Sequence, residues 1–369
     1  MKKTNCSEIG NIRLQGRTHK GNSDIVLFWG GSAVEVNVTG SELWFEFEYE
    51  SNKSGSYIRI EIDKEEVSRF LPQDGIQSYC IFKDFEPTKN KNVCIFREMQ
   101  ANDTVLKILS FSSDGEFLPL PVRNLKIEFI GDSVTSGTGL VGSKELMSCC
   151  PLCFSSRGNY AIRVADALNA DWSIVAEGGW GVYTSWDNRT YQAIPPYYEY
   201  VCGIPDHPSQ LALGSGEYYD FENNHPDITI VNLGSNDASA FNNPPFIDEN
   251  GISHKLYLND NGTPKQSDLL LIENAIYNFC AKIRKYNPDT KILWCYNMLN
   301  DLLNDTIINT VQKYSFDNGD RKVYTVKLPR ADKLLNGSFG HPGSIAHKMY
   351  ADAILEKLND IISKKTVNS

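Results

Sequence analysis

The sequence predicts an all-β domain followed by an α/β domain with a mostly parallel sheet. Three observations support this prediction. The chain has 369 residues, more than one domain usually holds, which favours two compact units. Its 41% hydrophobic and 22% charged residues are ordinary for a globular protein. Near residue 122 the apolar pattern changes from short alternating stretches to buried runs separated by helical stretches. We therefore expect one domain over 1–122 and a second over 123–369.

The first domain contains short stretches of alternating apolar and polar residues, separated by Gly, Asn, Asp and Ser. Leu43, Phe45 and Phe47 fall on one side of an extended chain, whereas Glu46 and Glu48 fall on the other. Such alternation is typical of strands that bury one face. Repeated over about a hundred residues with turn residues between the strands, it predicts a β-sandwich.

The second domain alternates near-continuous apolar runs with longer helical stretches. Parallel strands that are covered on both faces have this composition. We predict strands at 125–131, 172–178, 227–234, 291–297 and 322–328, and helices near 158–169, 266–286, 302–314 and 343–363. The segment 185–226 is too long and irregular to be a plain connection, so we expect it to carry specificity.

Charge and hydropathy argue against two classes of partner. The formal net charge is −10 and the Lys and Arg residues are scattered, so we expect no nucleic acid partner. No apolar window is long enough to span a membrane, and no apolar stretch follows the lysines at the N-terminus. The nine cysteines lack the paired spacing of a disulfide scaffold. We expect a cytoplasmic location, reduced thiols and no membrane partner.

A serine follows the first predicted strand of the second domain directly, in the sequence Gly131-Asp132-Ser133. Ligands of open α/β folds bind at the carboxyl ends of the strands, which is where this serine is expected to lie. The small residues around it let a substrate approach the hydroxyl. The tripeptide on its own fits an ordinary turn equally well.

Three companions favour the catalytic interpretation of Ser133. Asn236 follows the third predicted strand, where its amide can donate to a developing oxyanion. Gly179, or Gly181 as second choice, follows the second strand and offers a backbone N–H to the same oxyanion, as does Ser133 itself. His341 lies just before the last predicted helix and supplies an imidazole for general-base catalysis.

This order of Ser, Gly, Asn and His resembles the SGNH hydrolase superfamily across residues 125–360. The β-rich N-terminal region, together with GDSVTSGTG, VNLGSND and HPGSIAHKMYADAI, is more narrowly similar to carbohydrate esterase family 2. That resemblance implies a jelly-roll domain before a three-layer α/β/α domain. It also implies a serine esterase that needs no cofactor and removes acetyl groups from plant-derived oligosaccharides of xylo, manno or gluco configuration.

The chain departs from the superfamily pattern beside the histidine. Superfamily members usually carry an aspartate three residues before it, and here that position is Ser338. Two interpretations stay open for what orients His341: a backbone carbonyl near Gly340, or the carboxylate of Asp332.

Other polar residues have competing explanations. His207, His225 and His347 are alternative bases, but none lies at the expected strand-to-helix junction, and His347 is expected at a helix surface or in packing. Asp132 and Asp237 lie beside tight turns, where carboxylates more often accept backbone N–H groups than act in catalysis.

Two further sets of residues lie near the predicted site. Cys149, Cys150 and Cys153 lack the fourth ligand of a structural zinc site, so we predict no metal and interpret them as loop thiols. Trp180 and Tyr183 adjoin the predicted oxyanion loop and are the expected substrate-binding aromatics, although apolar packing explains most aromatic residues.

Two other functions would use the same residues. One is an acyl hydrolase of lipids or thioesters, since the fold and the Ser-His pair do not determine the acyl chain. The other is a carbohydrate-binding protein whose pair is idle because the acid is absent. No Gly-x-Ser-x-Gly sequence surrounds a serine, which argues against the nucleophile elbow of α/β-hydrolases. The oligomeric state stays open.

Overall fold

The computed structural model describes residues 1–52, 55–99, 104–204 and 208–363. The strands before residue 120 are β1 (Lys2–Asn5), β2 (Ile12–Gln15), β3 (Thr18–Lys20), β4 (Ile25–Leu27), β5 (Ala33–Val38), β6 (Leu43–Ser51), β7 (Ile58–Ile62), β8 (Glu65–Phe70), β9 (Gly75–Phe82), β10 (Lys91–Arg97), β11 (Thr104–Ser113) and β12 (Phe117–Leu118). Later strands are β13 (Lys126–Gly131), β14 (Asp171–Ala176), β15 (Ile228–Asn232), β16 (Phe246–Ile247), β17 (Ser253–His254), β18 (Lys291–Tyr296) and β19 (Val323–Lys327). The α-helices are α1 (Tyr160–Ala167), α2 (Pro208–Ala212), α3 (Phe221–Asn224), α4 (Ser235–Ala240), α5 (Gln266–Tyr286), α6 (Asn304–Asp317) and α7 (Ser344–Ser363).

The chain forms two compact units. The first contains Met1–Asn124 together with two later segments, Cys150–Arg157 and Glu199–Tyr219, and the second contains the remaining described segments. Hydrogen bonds explain why these two segments belong to the first unit. Arg157 Nε lies 2.9 Å from the Glu61 carboxylate, and Trp29 Nε1 donates to the Val201 carbonyl at 2.7 Å. The division at 122/123 expected from the sequence stays a prediction.

The first unit is a sandwich of two antiparallel sheets. One sheet has the strand order β3-β4-β11-β6-β9 with β1 paired to β11, and the other has the order β12-β5-β10-β7-β8 with β2 paired to β5. Leu43, Phe45 and Phe47 are buried in its core, while Glu46 and Glu48 lie on the opposite face of β6, only partly buried. The predicted β-sandwich of jelly-roll type is therefore confirmed.

The second unit contains a five-stranded parallel sheet with the order β14-β13-β15-β18-β19. These are the five strands predicted from the apolar runs, each within two residues of its expected start. The four predicted helices are present as α1, α5, α6 and α7. β15 is buried throughout and β13 at all but its first residue, which explains their near-continuous apolar composition.

The helices occupy both faces of this sheet. The connection through α1 leads from β13 to β14, towards one edge of the sheet. The connections through α5 and α6 lead from β15 to β18 and from β18 to β19, towards the other edge. Because parallel crossovers are right-handed, connections that run in opposite directions lie on opposite faces. α1 packs against α7, and α5 packs against α6. The α/β class with three layers is confirmed.

The strand order reverses at β13, which lies between β14 and β15. The loops after these three strands therefore meet at the same edge of the sheet, at the switch point where ligands of such folds bind. Among the described residues, each helix is either too short or too polar to span a lipid bilayer.

Candidate active site

Ser133 lies at the carboxyl end of β13, where the chain leaves the sheet in tight turns. The N–H of Thr138 donates to the Ser133 carbonyl at 2.9 Å, and the N–H of Ser136 donates to the Asp132 carbonyl at 3.0 Å. The Asp132 carboxylate accepts from the N–H of Val134 at 3.0 Å. These bonds determine the backbone conformation around a serine that is only 8% exposed.

His341 meets Ser133 across 208 residues of sequence. Its Nε2 lies 3.0 Å from Ser133 Oγ, which is hydrogen-bonding distance. Burial lowers the pKa of His341 below its ordinary value, so the imidazole is neutral at neutral pH. A neutral imidazole at this distance from a hydroxyl is able to accept its proton as the oxygen attacks an electrophile.

A backbone carbonyl orients the imidazole. His341 Nδ1 lies 2.8 Å from the Phe339 carbonyl, and because a carbonyl only accepts, Nδ1 carries the proton and leaves Nε2 free for the serine. Phe339 has a left-handed backbone conformation with φ +52° and ψ 30°, which costs a non-glycine residue about 1–2 kcal/mol. Its N–H donates to the Leu146 carbonyl at 2.7 Å, and its ring stacks on the imidazole with 5.2 Å between centroids.

The residues that might have supplied an acid are engaged elsewhere. Ser338 is fully buried, and its Oγ donates to the Val141 carbonyl at 2.5 Å. The Asp332 carboxylate accepts from the N–H groups of Leu334 and Leu335 at 2.8 and 3.2 Å. Of the two interpretations left open by the sequence, the structure shows the carbonyl, and His341 has no carboxylate partner within the described residues.

The predicted oxyanion donors lie in the loops after β14 and β15. Gly179 has φ +81°, and a Cβ there would stand 2.9 Å from Trp186 Cδ1, so both conformation and space require glycine. Asn236 lies in the first turn of α4, where its Nδ2 donates to the Trp180 carbonyl at 2.9 Å and to Asp132 Oδ2 at 3.3 Å. Gly181, the second choice, packs directly on Asp237. The donor roles stay predictions.

The two buried carboxylates beside the site accept backbone N–H groups, as the sequence indicated. Burial raises the pKa of Asp132 to about 7, and the neighbouring charge of Asp237 contributes. Asp237 accepts from the N–H groups of Val182, Tyr183 and Thr184 at 2.9, 2.8 and 3.0 Å. These bonds oppose the rise that burial causes in the pKa of Asp237. The partners of Asp237 lie in a different loop, which the sequence did not reveal.

Of the alternative histidines, His347 and His225 are bonded or placed away from Ser133. His347 is fully buried rather than on the helix surface; its Nδ1 accepts from the N–H of Tyr160 at 3.1 Å, and burial lowers its pKa to about 3. His225 lies just before the amino end of β15, at the edge of the sheet opposite Ser133. His207 lies outside the described residues.

The aromatic residues near the oxyanion loop differ in exposure. Trp180, predicted to bind substrate, is 7% exposed and packs on Tyr197 with 5.1 Å between ring centroids. Tyr183, the other predicted residue, is half-buried. The Trp186 side chain is exposed, at 49%, and the backbone N–H of Trp186 donates to the Gly179 carbonyl at 3.0 Å. Sequence reasoning did not select Trp186, because an aromatic-rich loop gives no signal of which rings face solvent.

The cysteine cluster shows no metal-binding geometry. Cys149 is exposed, Cys150 is half-buried and Cys153 is buried, and none of the three forms a disulfide. In the part of the chain that the structure describes, no group of three His, Cys, Asp or Glu side chains is placed to hold a metal.

Known proteins share this architecture. Residues 14–121 match the protein family "Carbohydrate esterase 2 N-terminal". An acetyl xylan esterase from the rumen bacterium Butyrivibrio proteoclasticus has a solved structure that superposes with a TM-score of 0.96 at 38% identity, over 98% of this chain and 100% of that one. An acetylxylan esterase / glucomannan deacetylase of Cellvibrio japonicus is 28% identical over 73% of this chain and 72% of its own length.

A longer relative is the cellulase/esterase CelE of Acetivibrio thermocellus. It is 24% identical over 90% of this chain, but the match spans only 37% of the length of CelE. The similarity therefore concerns one part of that larger protein.

Proposed function

The chain belongs to carbohydrate esterase family 2, and we propose that it is a serine esterase that removes acetyl groups from acetylated plant-derived oligosaccharides. The observation that carries the proposal is the 3.0 Å distance between His341 Nε2 and Ser133 Oγ. It pairs a nucleophile with a base, at the switch point of a parallel sheet and beside two loops that offer oxyanion donors.

In the first half of the reaction His341 accepts the Ser133 proton as the Oγ attacks the ester carbonyl. The negative charge that develops on the carbonyl oxygen is stabilised by the N–H groups of Ser133 and Gly179 and by Asn236 Nδ2, which exchanges its longer bond, 3.3 Å to Asp132 Oδ2, for one to the oxyanion. Collapse of the tetrahedral intermediate releases the sugar alcohol, which takes the proton from His341. A water molecule then repeats the sequence on the acetyl-serine and releases acetate.

The Phe339 carbonyl replaces the usual acid in this mechanism. An aspartate beside the base holds the imidazole in the correct tautomer and also stabilises the imidazolium that forms. The carbonyl 2.8 Å from Nδ1 does the first, but supplies only a partial charge for the second. We therefore propose a catalytic pair of Ser133 and His341, in which a backbone carbonyl rather than a carboxylate holds the imidazole in its reactive tautomer.

Two observations support a carbohydrate ester as substrate. The relatives named above are an acetyl xylan esterase and an acetylxylan esterase / glucomannan deacetylase, which supports xylo-, manno- and gluco-configured substrates. Trp186 presents a half-exposed indole beside the Gly179 loop, and the apolar face of a sugar ring packs well on such a surface.

The test is acetate release from 4-nitrophenyl acetate and from acetylated xylo- and manno-oligosaccharides by wild type, Ser133→Ala and His341→Ala. We expect both variants to lose at least about a thousandfold in kcat, as removal of either member of such a pair does. Ser315→Ala and His225→Ala are matched controls that should keep wild-type rates, because the end of α6 and the segment before β15 lead to the amino ends of the strands, opposite Ser133.

Three outcomes would contradict the proposal. If wild type hydrolyses no acetyl ester, the protein is not an acetyl esterase. If Ser133→Ala or His341→Ala keeps the wild-type rate, these two residues are not the catalytic pair. If long-chain nitrophenyl esters are hydrolysed faster than the acetyl ester, the proposed preference for acetyl groups is wrong.

A further inference from the structure

Asp237 is the residue after Asn236, and its side chain contacts the loop that follows β14. It is fully buried, and its two oxygens accept three successive N–H groups of the loop that follows β14. Oδ2 accepts from Val182 at 2.9 Å, while Oδ1 accepts from Tyr183 at 2.8 Å and from Thr184 at 3.0 Å. A carboxylate whose two oxygens accept three short N–H bonds is a directional attachment.

The attachment joins the two segments that supply the predicted oxyanion donors. Gly179 lies three residues before the first of the bonded N–H groups, and Asn236 lies one residue before the carboxylate. The contact is close: a Cβ on Gly181 would stand 2.2 Å from Asp237 Oδ2 and 2.2 Å from the Thr184 carbonyl. The distance between the loop and α4 is therefore determined by this carboxylate together with the bond from Asn236 Nδ2 to the Trp180 carbonyl, 2.9 Å.

The far end of the same loop is attached to the far end of the same helix. Asn188 Nδ2 donates to the carbonyls of Ala240 and Pro244, both at 3.0 Å, and its Oδ1 accepts from the N–H of Leu256 at 3.0 Å. Lys255 Nζ donates to the Phe241 carbonyl at 2.8 Å. With both ends held, the loop has little freedom to shift along the helix once Asp237 is in place.

We propose that Asp237 is a positioning residue of the oxyanion hole, which holds the Gly179 N–H at a defined distance from the Asn236 amide. This inference rests on the proposed function. Oxyanion donors stabilise a transition state only when they lie about 2.7–3.1 Å from the charged oxygen. A displacement of about 1 Å costs roughly a hundredfold in rate. Loss of the carboxylate therefore lowers kcat although Asp237 touches neither substrate nor Ser133 Oγ.

Asp237→Asn is the direct test, since the amide keeps the size of the carboxylate. Its oxygen can still accept from Tyr183 and Thr184, but its NH2 group replaces the acceptor of the Val182 N–H. Gly181→Ala disturbs the same contact from the loop side and keeps the carboxylate. Asp220→Asn is the matched control, because Asp220 also accepts a backbone N–H, from Asn223 at 3.1 Å, but is exposed at the start of α3.

Two measurements separate positioning from general support of the fold. The first is kcat and KM for 4-nitrophenyl acetate, together with the unfolding temperature. The second is the dissociation constant of phenylboronic acid, whose boron binds Ser133 Oγ as a tetrahedral anion with an oxygen in the oxyanion hole. This binding needs no turnover, so it tests the hole even if wild type proves inactive on the esters and the proposed function fails.

We expect Asp237→Asn and Gly181→Ala to lower kcat roughly tenfold to a hundredfold with KM changed less than about threefold. Phenylboronic acid should bind more weakly by a similar factor, and Asp220→Asn should match wild type in both measurements. The inference is overturned if folded Asp237→Asn has a lower unfolding temperature but wild-type kcat and boronate affinity. It is also overturned if kcat falls while boronate affinity stays at the wild-type value. Should Asp237→Asn fail to fold, Gly181→Ala decides by the same two measurements.

Discussion

Replacing Ser338 by aspartate restores the residue type that the superfamily usually places before its histidine, and we expect the replacement to harm this protein. Ser338 is fully buried, and its Oγ donates to the Val141 carbonyl at 2.5 Å. The imidazole Nδ1 already has its partner in the Phe339 carbonyl. A carboxylate at position 338 would therefore meet a carbonyl oxygen rather than a donor.

The magnitude follows from the two groups that face each other. Losing the Ser338 hydroxyl leaves the buried Val141 carbonyl without its donor, which costs about 1–3 kcal/mol. Burying an uncompensated carboxylate costs about 3–5 kcal/mol when no partner is available. Since a domain is stable by only about 5–15 kcal/mol, Ser338→Asp should remove a large part of the free energy of unfolding. Ser338→Ala should lose only the first contribution.

The assay is urea denaturation of wild type, Ser338→Asp and Ser338→Ala, with kcat/KM on 4-nitrophenyl acetate measured on the folded proteins. We expect the order of stability wild type, Ser338→Ala, Ser338→Asp, and no gain in kcat/KM from the carboxylate. If Ser338→Asp is as stable as wild type and more active, the carboxylate has reached His341, and our account of the Phe339 carbonyl is wrong.

Two further predictions concern pH and substrate. Burial lowers the pKa of His341 below 6.5, and this base acts only when it is neutral. A profile of kcat/KM against pH should therefore rise to a plateau, with the midpoint of the rise below pH 6.5. A midpoint above pH 6.5 would contradict the burial argument. Trp186→Ala should raise KM for acetylated oligosaccharides roughly twofold to tenfold and leave hydrolysis of ethyl acetate unaffected, because the sugar has a ring to pack on the indole and ethyl acetate has none. Phe316→Ala, which removes an exposed ring on α6, is the control for the second experiment, and equal KM values in all three proteins would exclude a sugar contact at Trp186.

Much of the fold follows from local patterns in the sequence. The alternation at Leu43, Phe45 and Phe47 predicts a half-buried strand, and the structure contains it as β6. The continuous apolar run at 125–131 predicts a strand covered on both faces, and β13 is such a strand. Burial of apolar area depends on the period of the sequence, which is why these elements can be identified without coordinates.

Only part of the site can be predicted from the sequence. Ser133, Gly179 and Asn236 can be identified because each follows a strand, and the carboxyl ends of parallel strands meet at one edge. His341 can be identified because an imidazole follows the last strand. The group that orients His341 cannot be identified from the sequence, because every residue has a backbone carbonyl. The direction of the Phe339 carbonyl also depends on a left-handed conformation that a phenylalanine rarely adopts.

The amino-acid sequence determined the two-part architecture, the order of strands and helices, and the residues that meet at the edge of the parallel sheet, because these follow from apolar period and chain order. The tertiary structure alone decided the partners of buried polar groups: Phe339 for His341, three N–H groups for Asp237, and Val141 for Ser338. It also decided that Trp186 is exposed while Trp180 is not. Such pairings form between distant loops, and the free energy of a buried hydrogen bond depends on distances that no local pattern encodes.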